Sequence, residues 1–142
     1  MSLDDLYRKV IMEHYKNPKN MGEIANSQVV SLNNPVCGDT IFLYFQKENN
    51  IIKDIKFKGE GCSISLASAS MMTEALKGLP FKKAFYLIKL FFEMMKGKKV
   101  ATDEFCFEDI KALEGVVKFP TRIKCATLAW KALEKGLKEE SN

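Results

Sequence analysis

The sequence predicts an α+β fold: a small three-stranded antiparallel sheet with helices packed on one face and the candidate site at the sheet/helix edge. Three observations predict it. The opening residues carry helical periodicity, three consecutive runs then alternate apolar with polar residues, and the three-and-four spacing returns for the rest of the chain. The 142 residues are read as a single domain spanning 1 to 142. A domain of that size buries roughly 68–70% of the surface its unfolded chain exposes, so no second core is needed.

Taken in order, residues 3 to 16 place Leu3, Leu6, Tyr7, Val10, Ile11 and His14 on one helical face, and Asn17-Pro18 ends the helix. The alternating runs fall at about 28 to 32, 40 to 47 and 51 to 58. Ile41, Leu43 and Phe45 share one face of the second, and Ile51, Ile55 and Phe57 one face of the third, opposite Asp54, Lys56 and Lys58. Glu48-Asn49-Asn50 reads as the hairpin turn between them. After Cys62 the period changes: Ile64, Ala67, Ser68, Met71, Met72, Ala75 and Leu76 mark a helix that Gly78 closes. The small residues from 63 to 70 are expected to let this helix pack closely on the sheet. A helix over 81 to 96 follows, then a short acidic, aromatic segment over 102 to 113 that also reads as helical. The last helix is expected from Thr121 or Arg122, with Cys125 within about its first turn.

Composition narrows the function. Hydrophobic residues at 46% and charged residues at 28% fit ordinary globular usage and exclude disordered or disulfide-dense classes. The net charge of +4 comes from lysines dispersed among acids, with no dense basic run and no zinc-finger spacing, so nucleic-acid binding is not expected; an acidic protein partner is compatible. The most apolar stretch, residues 84 to 95, is far short of the ~20 residues of a membrane span, and Lys89 and Glu93 interrupt it. The first residues lack the positive charge and apolar run of an export signal, which leads to a cytoplasmic expectation. In a reducing compartment, four cysteines point to metal binding or thiol chemistry rather than to structural disulfides.

Three of them share a placement. Cys37 lies in a turn entering a strand, Cys62 at one helix start and Cys125 near another, positions that can converge at one edge of a sheet-and-helix layer. Backbone N–H groups at helix starts favour thiolate, the form that ligates metal or attacks sulfur. Asp39, two residues after Cys37 in an extended segment, adds an oxygen pointing the same way. Three soft sulfurs and one carboxylate suit a tetrahedral zinc, or an iron-sulfur cluster with one labile ligand that is not cysteine. The spacing C-x24-C-x62-C matches no recognised zinc or ferredoxin pattern, and a cysteine is commonly just a small buried hydrophobe, so spacing alone leaves the choice open.

The motifs NPVCGD at residues 34 to 39, GEGCSISLASASMMTEAL at 59 to 76 and RIKCATLAWKAL at 122 to 133 closely resemble the U-type iron-sulfur scaffold family, which includes IscU, SufU and the N-terminal domain of NifU. HYKNPKNMG at 14 to 22 is similar to that family's opening. The resemblance implies a protein that binds a cysteine desulfurase, accepts its persulfide sulfur, builds a transient [2Fe-2S] cluster and passes it to apo-proteins. It also implies Cys37, Cys62 and Cys125 as ligands and sulfur acceptors, Cys125 among the candidates for the persulfide, and Asp39 as a ligand or lability control. Zinc often occupies the same site in isolated members. Two departures bear on subtype. Lys124 stands where Isc-type members have histidine before the third cysteine, and the Leu-Pro-Pro-Val-Lys chaperone motif is missing, which argues against Hsp70-assisted release. With the longer stretch between Cys62 and Cys125, these features resemble SufU and keep a second function in view, a zinc-dependent sulfurtransferase that stimulates its desulfurase.

No motif covers Cys106, between Phe105 and Phe107, which is read as a bland thiol. His14 is read as a packed or surface histidine, since no Ser/His/Asp or Cys/His catalytic arrangement is visible in the sequence. Arg122 and Lys124 beside Cys125 are either a solvated helix face or charges that lower a thiol pKa and attract an acidic partner. The apolar helix over 81 to 96 is read as core in preference to a partner groove.

Overall fold

The computed structural model describes residues 2–36, 38–105 and 108–140. Cys37 and Cys106 therefore lie outside the described residues.

Ser2 begins helix α1 (Leu3–Lys16) by accepting the Asp5 backbone N–H on its side chain, and Asp4 and Asp5 complement the positive end of the helix. Beyond α1 the chain runs beside the third strand. Gly22 N–H donates to Phe57 O at 2.8 Å, and Phe57 N–H donates to Asn20 O at 3.0 Å, which covers an edge that would otherwise expose unpaired backbone groups.

Strands β1 (Gln28–Asn34), β2 (Asp39–Glu48) and β3 (Ile51–Glu60) form the expected antiparallel sheet in the order β1-β2-β3. The β2–β3 turn is the expected one. Asn49 and Asn50 both take positive φ, at 52° and 61°, the pair of left-handed residues that a tight hairpin with matching strand twist requires. Val30, Ile41, Leu43, Phe45, Ile55 and Phe57 share the buried face. Ile51, expected inward, is exposed, because the ladder shifts register between Gln46 and Lys47 and puts Ile52 in the core instead.

Helices α2 (Ser63–Leu76), α3 (Phe81–Met95) and α4 (Pro120–Glu140) complete the structure, with α1 against α2, α2 against α4 and β3, and α4 across β1 and β2. Trp130 of α4 sits at the centre: its ring stacks on Phe91 at 3.9 Å, meets Phe105 edge-on, and its Nε1–H donates to Ser68 Oγ at 2.9 Å. Phe91, Met94 and Met95 of α3 are core, as read, with Phe85 and Phe92 partly buried against it. The acidic segment differs in kind from the helix expected. It forms two 3-10 stretches, Thr102–Phe105 and Glu108–Lys118, and the reason lies in its spacing. Ile110, Leu113 and Val116, all buried, recur every three residues, and a helix of three residues per turn stacks such residues directly above one another, where an α-helix lets them drift round its face.

Candidate functional site

Asp39 is the first residue of β2, paired with Asn34 at the end of β1, and its side chain is wholly buried. One carboxylate oxygen, Oδ1, accepts the Cys62 backbone N–H at 2.9 Å. The other, Oδ2, is buried and has no hydrogen-bond partner among the described residues. Leaving such an oxygen unpaired is costly, and one of the ordinary explanations is an ion that is its partner.

Cys62 occupies the cap position before α2 and is half-buried. Its carbonyl accepts the Ser65 hydroxyl at 3.0 Å, and its sulfur lies 3.8 Å from the same Ser65 Oγ. Gly61 makes this approach possible, because a Cβ there would collide with Asp39 Oδ1 and Ser65 Oγ. Cys125 is fully buried on α4. Since that helix starts at Pro120, Cys125 falls in its second turn and not its first, and the helix-end field that motivated the thiolate argument has largely decayed there. Its sulfur instead lies 3.9 Å from Thr121 O and 4.0 Å from Asn34 Nδ2.

Asp39, Cys62 and Cys125, far apart in the chain, thus place one carboxylate oxygen and two sulfurs within 4.8 Å of one another, close enough for one metal ion to contact all three. The donor set fits zinc, and equally fits iron carrying sulfide. Arg122 is exposed and interacts with both sulfurs. The negative charge of Cys62, then hydrogen bonding to it, and more weakly Cys125, hold the guanidinium proton even more firmly than usual. Arg122 is thus exposed to solvent and also within electrostatic reach of the two sulfurs. Lys124 is exposed on the same helix. Val36 and Gly38, on either side of Cys37, are both exposed.

His14 is buried, with Nδ1 2.8 Å from Ser70 Oγ and Nε2 2.8 Å from Asp109 Oδ2. The contacts follow a Ser/His/Asp order, yet Ser70 Oγ also accepts the Lys19 backbone N–H at 2.8 Å and lies inside the fold. The chain of contacts ties α1, α2 and the second 3-10 stretch together, in keeping with a packed histidine. Sequence reasoning missed Asn34, Gly61 and Ser65. Their only sequence signal is adjacency to the cysteines, and what places them there is the β1–β2 register and the close approach of β3's end to α2.

An α+β layer with thiols and a carboxylate gathered at its edge defines a class of small thiol and metal proteins. Comparison makes the class specific: residues 6–126 match the model of the NifU-like N-terminal domain family, and the chain belongs to that family. It is 57% identical over 139 residues to the zinc-dependent sulfurtransferase SufU of Bacillus subtilis, covering 98% of this chain and 94% of that protein. It is 43% identical over 140 residues to the iron-sulfur cluster assembly scaffold protein IscU of Streptococcus pyogenes, covering 99% and 87%. Among solved structures, FiSufU of Fervidobacterium islandicum, described as an iron-sulfur cluster assembly scaffold protein for the SUF system, superposes with a TM-score of 0.86 at 35% identity over 96% of this chain and 99% of that one. The three-stranded antiparallel sheet with its helices is the fold of these relatives. No helix among the described residues is long and apolar enough to cross a membrane.

Proposed function

We propose that the chain is a sulfur-transfer protein that accepts persulfide sulfur from a cysteine desulfurase, with zinc as the resident ion of the Cys37, Asp39, Cys62 and Cys125 site. The observation that carries this reading is the buried Asp39 Oδ2, without a partner among the described residues and grouped with two cysteine sulfurs. The 57% identity to a relative named as a zinc-dependent sulfurtransferase supports the choice of zinc. When bound, zinc supplies a positive charge that keeps cysteine ligands as thiolates and preserves the shape of the site.

The transfer itself needs no oxidant. A cysteine thiolate of this chain attacks the terminal sulfur of the partner's persulfide, the partner's S–S bond breaks, a new S–S bond forms, and the partner's cysteine leaves as thiolate. Attack requires access, which bears on which cysteine receives. Cys125 has no exposed surface and Cys62 is half-buried, whereas the residues flanking Cys37 are exposed, Val36 at 71%. We therefore assign reception to Cys37, with Cys62 and Cys125 holding the site. Arg122 adds a fixed positive charge that attracts anionic sulfur to its mouth. Exposed Val36 and Phe119 offer the partner apolar contact.

A second reading retains a specific observation in its favour. Relatives named as IscU scaffolds, one at 43% identity, support assembly of a [2Fe-2S] cluster as cargo on the same residues and its delivery to apo-proteins, with Asp39 as the ligand that releases. The deciding experiment incubates the protein anaerobically with ferrous iron, cysteine and a desulfurase, then adds apo-ferredoxin. Acceleration of the desulfurase by the zinc form, without cluster delivery, is the expected result. Efficient cluster transfer would instead establish the scaffold.

A further inference from the structure

We propose that Asn34 is a positioning residue for the sulfur site, using the two ends of one buried amide to register the β1–β2 turn against Cys125; this rests on the reading that the site binds metal and sulfur. Asn34 is only 6% exposed and closes β1 directly opposite Asp39. Its Oδ1 accepts the Val36 backbone N–H at 3.3 Å, and its own carbonyl accepts the Gly38 N–H at 2.8 Å. Both bonds shape the connection between β1 and β2. Gly38 takes φ of 71°, the left-handed conformation that completes this turn.

Those partners decide which way the amide points. A backbone N–H can only donate, so the end facing Val36 must be the carbonyl oxygen, and the NH2 end faces Cys125 Sγ at 4.0 Å. The Thr121 carbonyl beside the same sulfur can only accept, so it pairs with the thiol and not with a thiolate. The Asn34 N–H contact is the opposite case: it strengthens as negative charge gathers on sulfur. Because the same side chain holds the turn, the placement of the Cys125 sulfur and that of the neighbouring turn are coupled. Hydrogen-bonded neighbours of metal ligands commonly tune affinity in this manner.

Asn34→Asp separates the two ends. It keeps an acceptor for Val36 and replaces the donor facing Cys125 with an oxygen. Asn34→Ala removes both. Zinc affinity of the full chain, read by chelator competition, and the sulfur-to-metal charge-transfer bands of the cobalt-substituted protein are the measurements, with circular dichroism to verify the fold. The expected result is zinc affinity lower by roughly 10–100-fold in Asn34→Asp, with shifted cobalt bands. Asn34→Ser, which keeps a short acceptor and deletes the amide donor, gives the same readout should the carboxylate disturb folding. Wild-type affinity and bands in Asn34→Asp, with a defect confined to Asn34→Ala, would mean that Asn34 serves the turn alone and would overturn the proposal. A wild-type chain that binds neither zinc nor cobalt would overturn the metal-site reading and the role of Asn34 with it.

Discussion

At position 61 a hydrogen atom decides whether Asp39 can reach Cys62. The carboxylate's Oδ1 occupies the space that any larger side chain would claim, so Gly61→Ala should push Asp39 off the Cys62 N–H and weaken zinc binding as well as stability, the latter by about 1–3 kcal/mol for the lost buried bond. Chemical denaturation and chelator competition on the same variant check both effects. Replacing Cys62 or Cys125 with Ala should abolish stable metal or cluster binding, as should Cys37→Ala, while Cys106→Ala should leave it nearly intact; metal analysis after desalting decides. Under the scaffold reading, Asp39→Ala should slow cluster release, and unchanged transfer kinetics would remove lability control from its role. At this scale the sequence was informative about chemistry and silent about context. Cysteine and aspartate announce themselves by type, whereas Asn34 and Ser65 act only through where the strand register and the α2 cap put them.

Helix α2 is held by its serines as well as by its buried apolar residues. Ser68 donates to Ala126 O at 2.6 Å while accepting from Trp130, and Ser70 Oγ accepts the Lys19 backbone N–H while hydrogen-bonding His14 Nδ1. The run from 63 to 70, expected to serve close packing on the sheet, therefore also supplies polar ties to α4 and α1. Ser68→Ala should cost about 1–3 kcal/mol, because it strands the buried Trp130 N–H. Urea unfolding measures this, and a loss within a few tenths would show the bond to be dispensable. Elements were legible where one periodicity was sustained, as in α1, the three strands and α3. The segment after α3 was not, because apolar residues every three positions fit an α-helix nearly as well as the 3-10 form that the core selects.

For the whole molecule, the proposed site would act as a clasp between the end of the central strand and two helices. Asp39 belongs to β2, Cys62 to the start of α2 and Cys125 to α4, so an ion bound among them joins three separate elements. Binding to the folded state alone stabilises it by mass action, about 4 kcal/mol at free zinc a thousandfold above Kd. Thermal unfolding should accordingly shift upward with zinc and fall with chelator, and the shift should vanish in Cys62→Ala. The convergence itself was only partly legible: the sequence indicates that the cysteines sit at element starts, but which starts face one another follows from how α2 and α4 cross the sheet.

Residues that form one sulfur-receiving site must carry persulfide after exposure to a desulfurase. The most direct test incubates the zinc-loaded protein with a cysteine desulfurase and cysteine, then locates persulfide by peptide mass spectrometry. The expected result is persulfide on Cys37, lost in Cys37→Ala and reduced in Asp39→Ala. Persulfide confined to Cys106, or equal labelling of all four cysteines irrespective of zinc, would contradict it.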